Sequence, residues 1–93
     1  MLLAMDIGNT NIKVGLFQNK ALMHSWRMGV NKQKTADEYG VLIESFFTHL
    51  HLPTEIISGI IISSVIPSLN YTIEHMCNIY FPKISPLFVD VNM

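Results

Sequence analysis

The spacing of the apolar residues changes near residue 30, from strand-like to mainly helical, and this change restricts the fold more than any other feature. Before it, apolar residues either run together, as in Leu2–Ile7, or alternate with polar ones, as in residues 11–17 and about 21–28. These patterns predict three strands, the first of them buried on both faces. Turn-forming residues at Gly8-Asn9-Thr10 and Asn19-Lys20 separate the strands, so we expect an antiparallel meander.

After residue 30 the apolar period is helical, interrupted by two short strand-like runs. The predicted elements are a helix from a capping box at Thr35–Glu38 to about Leu50, a strand at 56–63, a helix from Pro67 to about Tyr80, and a strand at 87–91. The order β-β-β-α-β-α-β predicts an α/β domain with a mixed five-stranded sheet and helices on its faces. Because the chain stops just after a strand, we expect a truncated domain.

Composition narrows the class of protein. Hydrophobic residues make up 49% and charged residues 14%, with a formal net charge of −1. This is core-forming sequence without a basic face, which argues against nucleic acid as a partner. Cys77 is the single cysteine, so no intramolecular disulfide can form and a cytoplasmic location is expected. The longest apolar run, Ile56 to Ile62, is interrupted and too short to cross a membrane.

The segment best suited to binding a polyphosphate is Asp6-Ile7-Gly8-Asn9-Thr10-Asn11-Ile12-Lys13. Gly8 lets the backbone approach a phosphate closely, and successive N–H groups there can form an anion-binding concavity. Thr10 and the asparagines add donors, Lys13 adds a positive charge on the same strand face as Asn11, and Asp6 can hold Mg²⁺. The alternative is a polar hairpin turn in which Asp6 accepts backbone hydrogen bonds. Spacing alone leaves both interpretations open.

Together with three further segments, this loop resembles type III pantothenate kinases of the actin-like ATPase and sugar-kinase superfamily. The further segments are His24-Ser25-Trp26-Arg27, Thr35-Ala36-Asp37-Glu38-Tyr39-Gly40 and Ile62-Ser63-Ser64-Val65-Ile66-Pro67-Ser68-Leu69. The resemblance implies a ribonuclease H-like domain and ATP-dependent phosphorylation of pantothenate. It also implies Mg²⁺, a monovalent cation (K⁺ or NH₄⁺) and a homodimer. The implied ATP-binding residues are Asp6, Ile7, Gly8, Asn9, Thr10, Asn11, Ile12 and Lys13, with Asp6 also at the metal.

One part of the family pattern is missing. The Gly-x-Asp-Arg segment that holds pantothenate and supplies the base does not occur, and neither does a second domain. We therefore expect no catalytic residue in this stretch and no kinase activity from it alone. We also expect it to self-associate, with Tyr39, Phe46, Phe47, Tyr80 and Phe81 available for contacts. Two alternatives remain: a related kinase for a sugar or carboxylic acid, and a non-catalytic nucleotide-binding or regulatory relative.

Other polar residues have simpler explanations. Ser63-Ser64 ends a predicted strand and faces the same edge as the Asp6 loop if the two strands are parallel neighbours. The pair either lines a nucleotide or substrate cleft or caps the second helix, and we favour the cap. His49 and His51 point about 200° apart on a helix, so they cannot share a metal. Cys77 lies in an apolar stripe and is expected in the core. Roles for Trp26 and Arg27 stay open, and Asp90 is given none.

Overall fold

The computed structural model describes residues 1–89. Within that range the chain forms five strands and two helices in the predicted order, with a short 3₁₀ turn at Thr54–Ile56. The bounds are β1 Leu2–Ile7, β2 Asn11–Gln18, β3 Ala21–Gly29, α1 Ala36–His49, β4 Gly59–Ser64, α2 Pro67–Tyr80 and β5 Leu87–Val89. The predicted element order is confirmed. Asp90 and the end of the predicted last strand lie outside the described residues.

The strands form one mixed sheet in the order β3-β2-β1-β4-β5. The pairs β1–β2 and β2–β3 are antiparallel, whereas β1–β4 and β4–β5 are parallel. The first two pairs are the predicted meander, and Asn19 takes a positive φ of 58° in its second turn, a conformation that asparagine tolerates. The helical connections return the chain in the same direction, so the carboxyl ends of β1, β3, β4 and β5 meet at one edge.

The sheet has a covered face and an open face. Cross-strand partners share a face, so Met5, Val14, Trp26 and Ile62 lie in one row. Both helices pack over this covered face, contact one another and share a single hydrophobic core with it. The residues between, such as Ala4, lie on the open face, which neither helix covers. The prediction that β1 is buried on both faces is therefore wrong, because only one of its faces has helices packed over it. The mixed sheet is confirmed, and both helices lie on the same side of it.

The start of α1 has the predicted capping box. Thr35 Oγ1 accepts a hydrogen bond from the Glu38 N–H (3.2 Å), and Glu38 Oε1 accepts one from the Thr35 N–H (3.0 Å). These reciprocal bonds satisfy two donors that an uncapped helix end leaves free. The preceding loop is tied to the helix through Tyr39, whose hydroxyl donates to the Asn31 carbonyl (2.8 Å).

Neither helix in residues 1–89 is long and apolar enough to cross a membrane.

The strand predicted at residues 56–63 begins later than expected, at Gly59. The Ile57 N–H donates to the Thr54 carbonyl (3.1 Å), which closes the 3₁₀ turn and keeps Ile56 and Ile57 out of the strand. Gly59 is the residue that pairs with Leu2, the first residue of β1. The apolar run could not reveal this boundary because the pairing partner sets it.

The aromatic residues expected to make contacts between copies are mostly unavailable. Tyr39, Phe47 and Phe81 are buried in the core, so that expectation is wrong for them. The periodicity identified them as apolar but could not say which element would cover them. Two apolar side chains on the open face, Leu22 and Leu87, are instead 54% and 59% exposed.

Candidate functional site

The β1–β2 turn brings the predicted phosphate loop to the carboxyl edge of the sheet. The Gly8 N–H donates to the Asn11 carbonyl (2.9 Å), and the Val30 N–H donates to the Thr10 carbonyl (2.9 Å), which anchors the turn to the end of β3. A Cβ on Gly8 would lie 3.3 Å from the Asn11 oxygen, so glycine permits this tight closure. Asn9 and Thr10 are exposed. The turn therefore offers amide and hydroxyl groups to a ligand.

One row across the open face carries the charged groups beside this turn. Strand pairing places Arg27 of β3, Lys13 of β2, Asp6 of β1 and Ser63 of β4 side by side. We call these four residues the polar row. Adjacent strands are about 4.8 Å apart, so Lys13 and Ser63 flank Asp6 directly. Asp6, Lys13 and Arg27 are exposed and Ser63 is half-buried.

Within the polar row, the Ser63 hydroxyl donates to Asp6 Oδ1 at 3.3 Å. The prediction that Ser63 would face the same edge as Asp6, if their strands were parallel neighbours, is confirmed by the β1–β4 register. A carboxylate flanked by an ammonium group and a hydroxyl can hold a cation on one side while a phosphate approaches on the other.

The predicted loop also includes Ile7 and Ile12, whose side chains are fully buried in the core. They are paired across β1 and β2. Only their backbone groups could reach a ligand at this edge. Their side chains hold the ends of the two strands against the core and so keep the turn between them in place.

Neither serine caps α2. The N-cap position is Ile66, without a side-chain hydrogen bond, so the favoured cap interpretation is wrong. Ser64 Oγ accepts from the Ile66 N–H (3.0 Å) and donates to the Ile66 carbonyl (3.2 Å), which shapes the turn before the helix. Adjacent strand residues point to opposite faces, and this separates Ser64 from Ser63.

Trp26 and Arg27, whose roles the sequence left open, also lie on opposite faces of the sheet. The Trp26 ring packs against Phe46 of α1, with centroids 4.7 Å apart, whereas Arg27 joins the polar row. The two-residue strand period separates the pair. Only the register of β2 against β3 shows that Arg27 lies beside Lys13.

Cys77 lies fully buried in the core, as predicted. Burial, with a smaller contribution from the Glu74 carboxylate, raises the pKa of its thiol to about 12. Very little thiolate, the reactive form, is therefore present at neutral pH.

Two surface depressions lie away from the polar row. One, of about 400 Å³, is lined by residues around Lys34 and Val41, and the other, of about 290 Å³, by residues around Tyr80 and Lys83. The polar row instead lies on an open sheet face. A ligand held there needs a second wall that these four side chains do not provide.

The oxygen ligands available at the polar row fit an Mg²⁺ ion that is bound jointly by the protein and a nucleotide. Mg²⁺ prefers oxygen ligands and is usually bound by one or two carboxylates together with water and substrate phosphates. Asp6 supplies one exposed carboxylate. Within residues 1–89 no three acidic, histidine or cysteine side chains come together as a metal cage. Phosphate oxygens and water would therefore have to complete the coordination shell.

Sequence comparison relates the chain to enzymes. A profile of the family described as type III pantothenate kinase matches residues 2–93. A type III pantothenate kinase from Brevibacillus brevis is 51% identical over 83 residues, covering 89% of this chain and 32% of that protein. One from Halalkalibacterium halodurans is 42% identical over 89 residues, covering 96% of this chain and 35% of that protein. The chain thus spans about a third of the length of these relatives.

Structural comparison bears on the fold. A structure described as an N-acetylglucosamine kinase from Porphyromonas gingivalis has a TM-score of 0.68 at 13% identity and covers 96% of this chain and 33% of its own. A structure described as a sugar kinase from Cytophaga hutchinsonii has a TM-score of 0.67 at 20% identity, and the match covers 97% of this chain and 36% of that one. At such identities the likeness shows the fold alone. The predicted actin-like ATPase fold is confirmed.

Proposed function

The chain belongs to the type III pantothenate kinase family, and from that membership we propose that the longer protein transfers the γ-phosphoryl group of ATP to the hydroxyl of pantothenate, the first step toward coenzyme A. In this proposal residues 6–13 form the loop that holds the phosphates and Mg²⁺. The observation that supports it most directly is the polar row, where Asp6 and Lys13 are paired on adjacent strands next to the exposed residues Asn9 and Thr10.

Each group in the loop has a role that its position supports. Asp6, exposed at the carboxyl end of β1, holds the metal directly or through bound water. The Gly8–Thr10 turn donates hydrogen bonds to phosphate oxygens, and Lys13 places a positive charge beside them. When bound, Mg²⁺ supplies neutralisation of the charge on the phosphates. Phosphoryl transfer depends mainly on such positioning and electrostatic stabilisation.

The remaining parts of the reaction are assigned to the rest of the longer protein. In this proposal, residues 1–93 belong to an N-terminal actin-like ATPase domain. A Gly-x-Asp-Arg segment ahead of a second domain supplies the acceptor site and the base. The second domain supplies the monovalent-cation site and the other wall above the polar row. We further propose that the protein is a homodimer. A cytoplasmic location is proposed from the family and the single cysteine.

Substrate choice separates this proposal from the two alternatives. A coupled assay of ADP release by the longer protein, with Mg²⁺ and ATP, should show stimulation by pantothenate. Stimulation by a sugar or acetate but not by pantothenate would identify a different kinase of the superfamily. ATP binding without turnover on any acceptor would favour the non-catalytic relative.

A further inference from the structure

Ser63 is the one neighbour of Asp6 that contacts its carboxylate through a hydrogen bond in the described structure. The two residues are register partners on parallel strands, and Ser63 Oγ lies 3.3 Å from Asp6 Oδ1. Within residues 1–89 this is the single hydrogen bond assigned to either side chain, so Asp6 Oδ2 has no competing donor in that part of the chain.

We propose that Ser63 is a positioning residue that orients the Asp6 carboxylate toward the metal. The inference rests on the metal role proposed above for Asp6. An exposed carboxylate rotates freely about its terminal bond, and fixing one oxygen restricts that rotation. A hydroxyl can do this without adding charge. A cation in the same place would neutralise the carboxylate and compete with the metal.

The neighbouring residues do not fill this role. Lys13 flanks Asp6 on the other side but brings a positive charge, which suits a phosphate better than a carboxylate that must hold Mg²⁺. Ser64 points to the opposite face, and its hydroxyl is engaged with the backbone of Ile66. Of these two adjacent serines, only Ser63 directs its hydroxyl at Asp6.

The experiment measures metal binding rather than turnover. Mn²⁺ replaces Mg²⁺ in the longer protein with ATP present, and the free Mn²⁺ is followed by its electron paramagnetic resonance signal. We expect Ser63→Ala to raise the Mn²⁺ dissociation constant up to about tenfold, because the metal must then immobilise a freely rotating Asp6 carboxylate. Ser63→Thr keeps the hydroxyl and should restore the wild-type value. Ser25→Ala, an exposed serine on the same face of β3, is the matched control and should change nothing.

Asp6→Asn, measured in the same way, separates this inference from the function it rests on. If Asp6→Asn weakens Mn²⁺ binding and Ser63→Ala does not, Ser63 has no positioning role and the metal role of Asp6 stands. If Asp6→Asn leaves binding unchanged, the metal role falls and the inference about Ser63 falls with it. A lower melting temperature of metal-free Ser63→Ala, with unchanged Mn²⁺ affinity, would show a purely structural serine.

Discussion

Gly40 lies in the interior of α1, where the side chain of Tyr80, the last residue of α2, packs against it. A Cβ built at Gly40 would approach three atoms of the Tyr80 ring more closely than real carbon contacts allow. The Tyr80 hydroxyl donates to Asp37 Oδ1 at 3.1 Å, so swinging the ring away would break this hydrogen bond. Close packing of the two helices therefore explains why position 40, at the end of the family-like segment Thr35–Gly40, is a glycine.

For Gly40→Ala two effects oppose one another. Alanine in place of glycine in a helix interior stabilises by roughly 1 kcal/mol. Forcing a methyl group into a packed contact costs about 1–3 kcal/mol, and the tethered ring favours the middle of that range. The net expectation is a destabilisation of about 1 kcal/mol, which lowers the melting temperature by roughly 4–8 °C for a domain of this size.

Removing the ring should reverse the sign. In a Tyr80→Ala background the obstruction is gone, so Gly40→Ala should stabilise the chain by up to about 1 kcal/mol. Urea unfolding followed by the fluorescence of Trp26, which packs on α1, measures all four variants at concentrations where light scattering shows monomers. If Gly40→Ala has the same effect with and without the Tyr80 ring, the packing explanation is refuted.

Three further predictions concern charge, the core and the open face. Lys13→Ala should weaken ATP binding by the longer protein with little change in melting temperature, because Lys13 is exposed; unfolding with unchanged nucleotide affinity would contradict this. Since the pKa of Cys77 is raised from 9.0 to about 12, its contribution to stability should be complete below pH 9 and lost as the pH rises toward 12. Cys77→Ala should flatten that alkaline decline in urea unfolding, and an unchanged profile would exclude the thiol as its cause. The 93-residue chain alone should show no kinase activity and should self-associate, and Leu22→Lys with Leu87→Lys should reduce the association in light scattering; phosphopantothenate formation or a wild-type monomer would each refute part of this.

Several features of the site could be predicted from local sequence. The turn between the first two strands, with Asp6 at the end of a buried run and Lys13 on the polar side of an alternating one, depends on the two-residue strand period alone. The capping box at Thr35 is equally local, because its two hydrogen bonds join residues three apart. Such features need no knowledge of what packs against them.

Local pattern is therefore enough to predict the order of the elements, the two faces of the alternating strand β2 and the loop between β1 and β2. Contacts between distant segments set what depends on register: β4 begins opposite Leu2, and Ser63 comes to lie beside Asp6, 57 positions away. They also set which face the helices cover, so that Phe47 and Phe81 are buried while Leu22 and Leu87 are exposed. Apolar periodicity marks a residue as suited to burial, but the residue is buried only where another element packs over it.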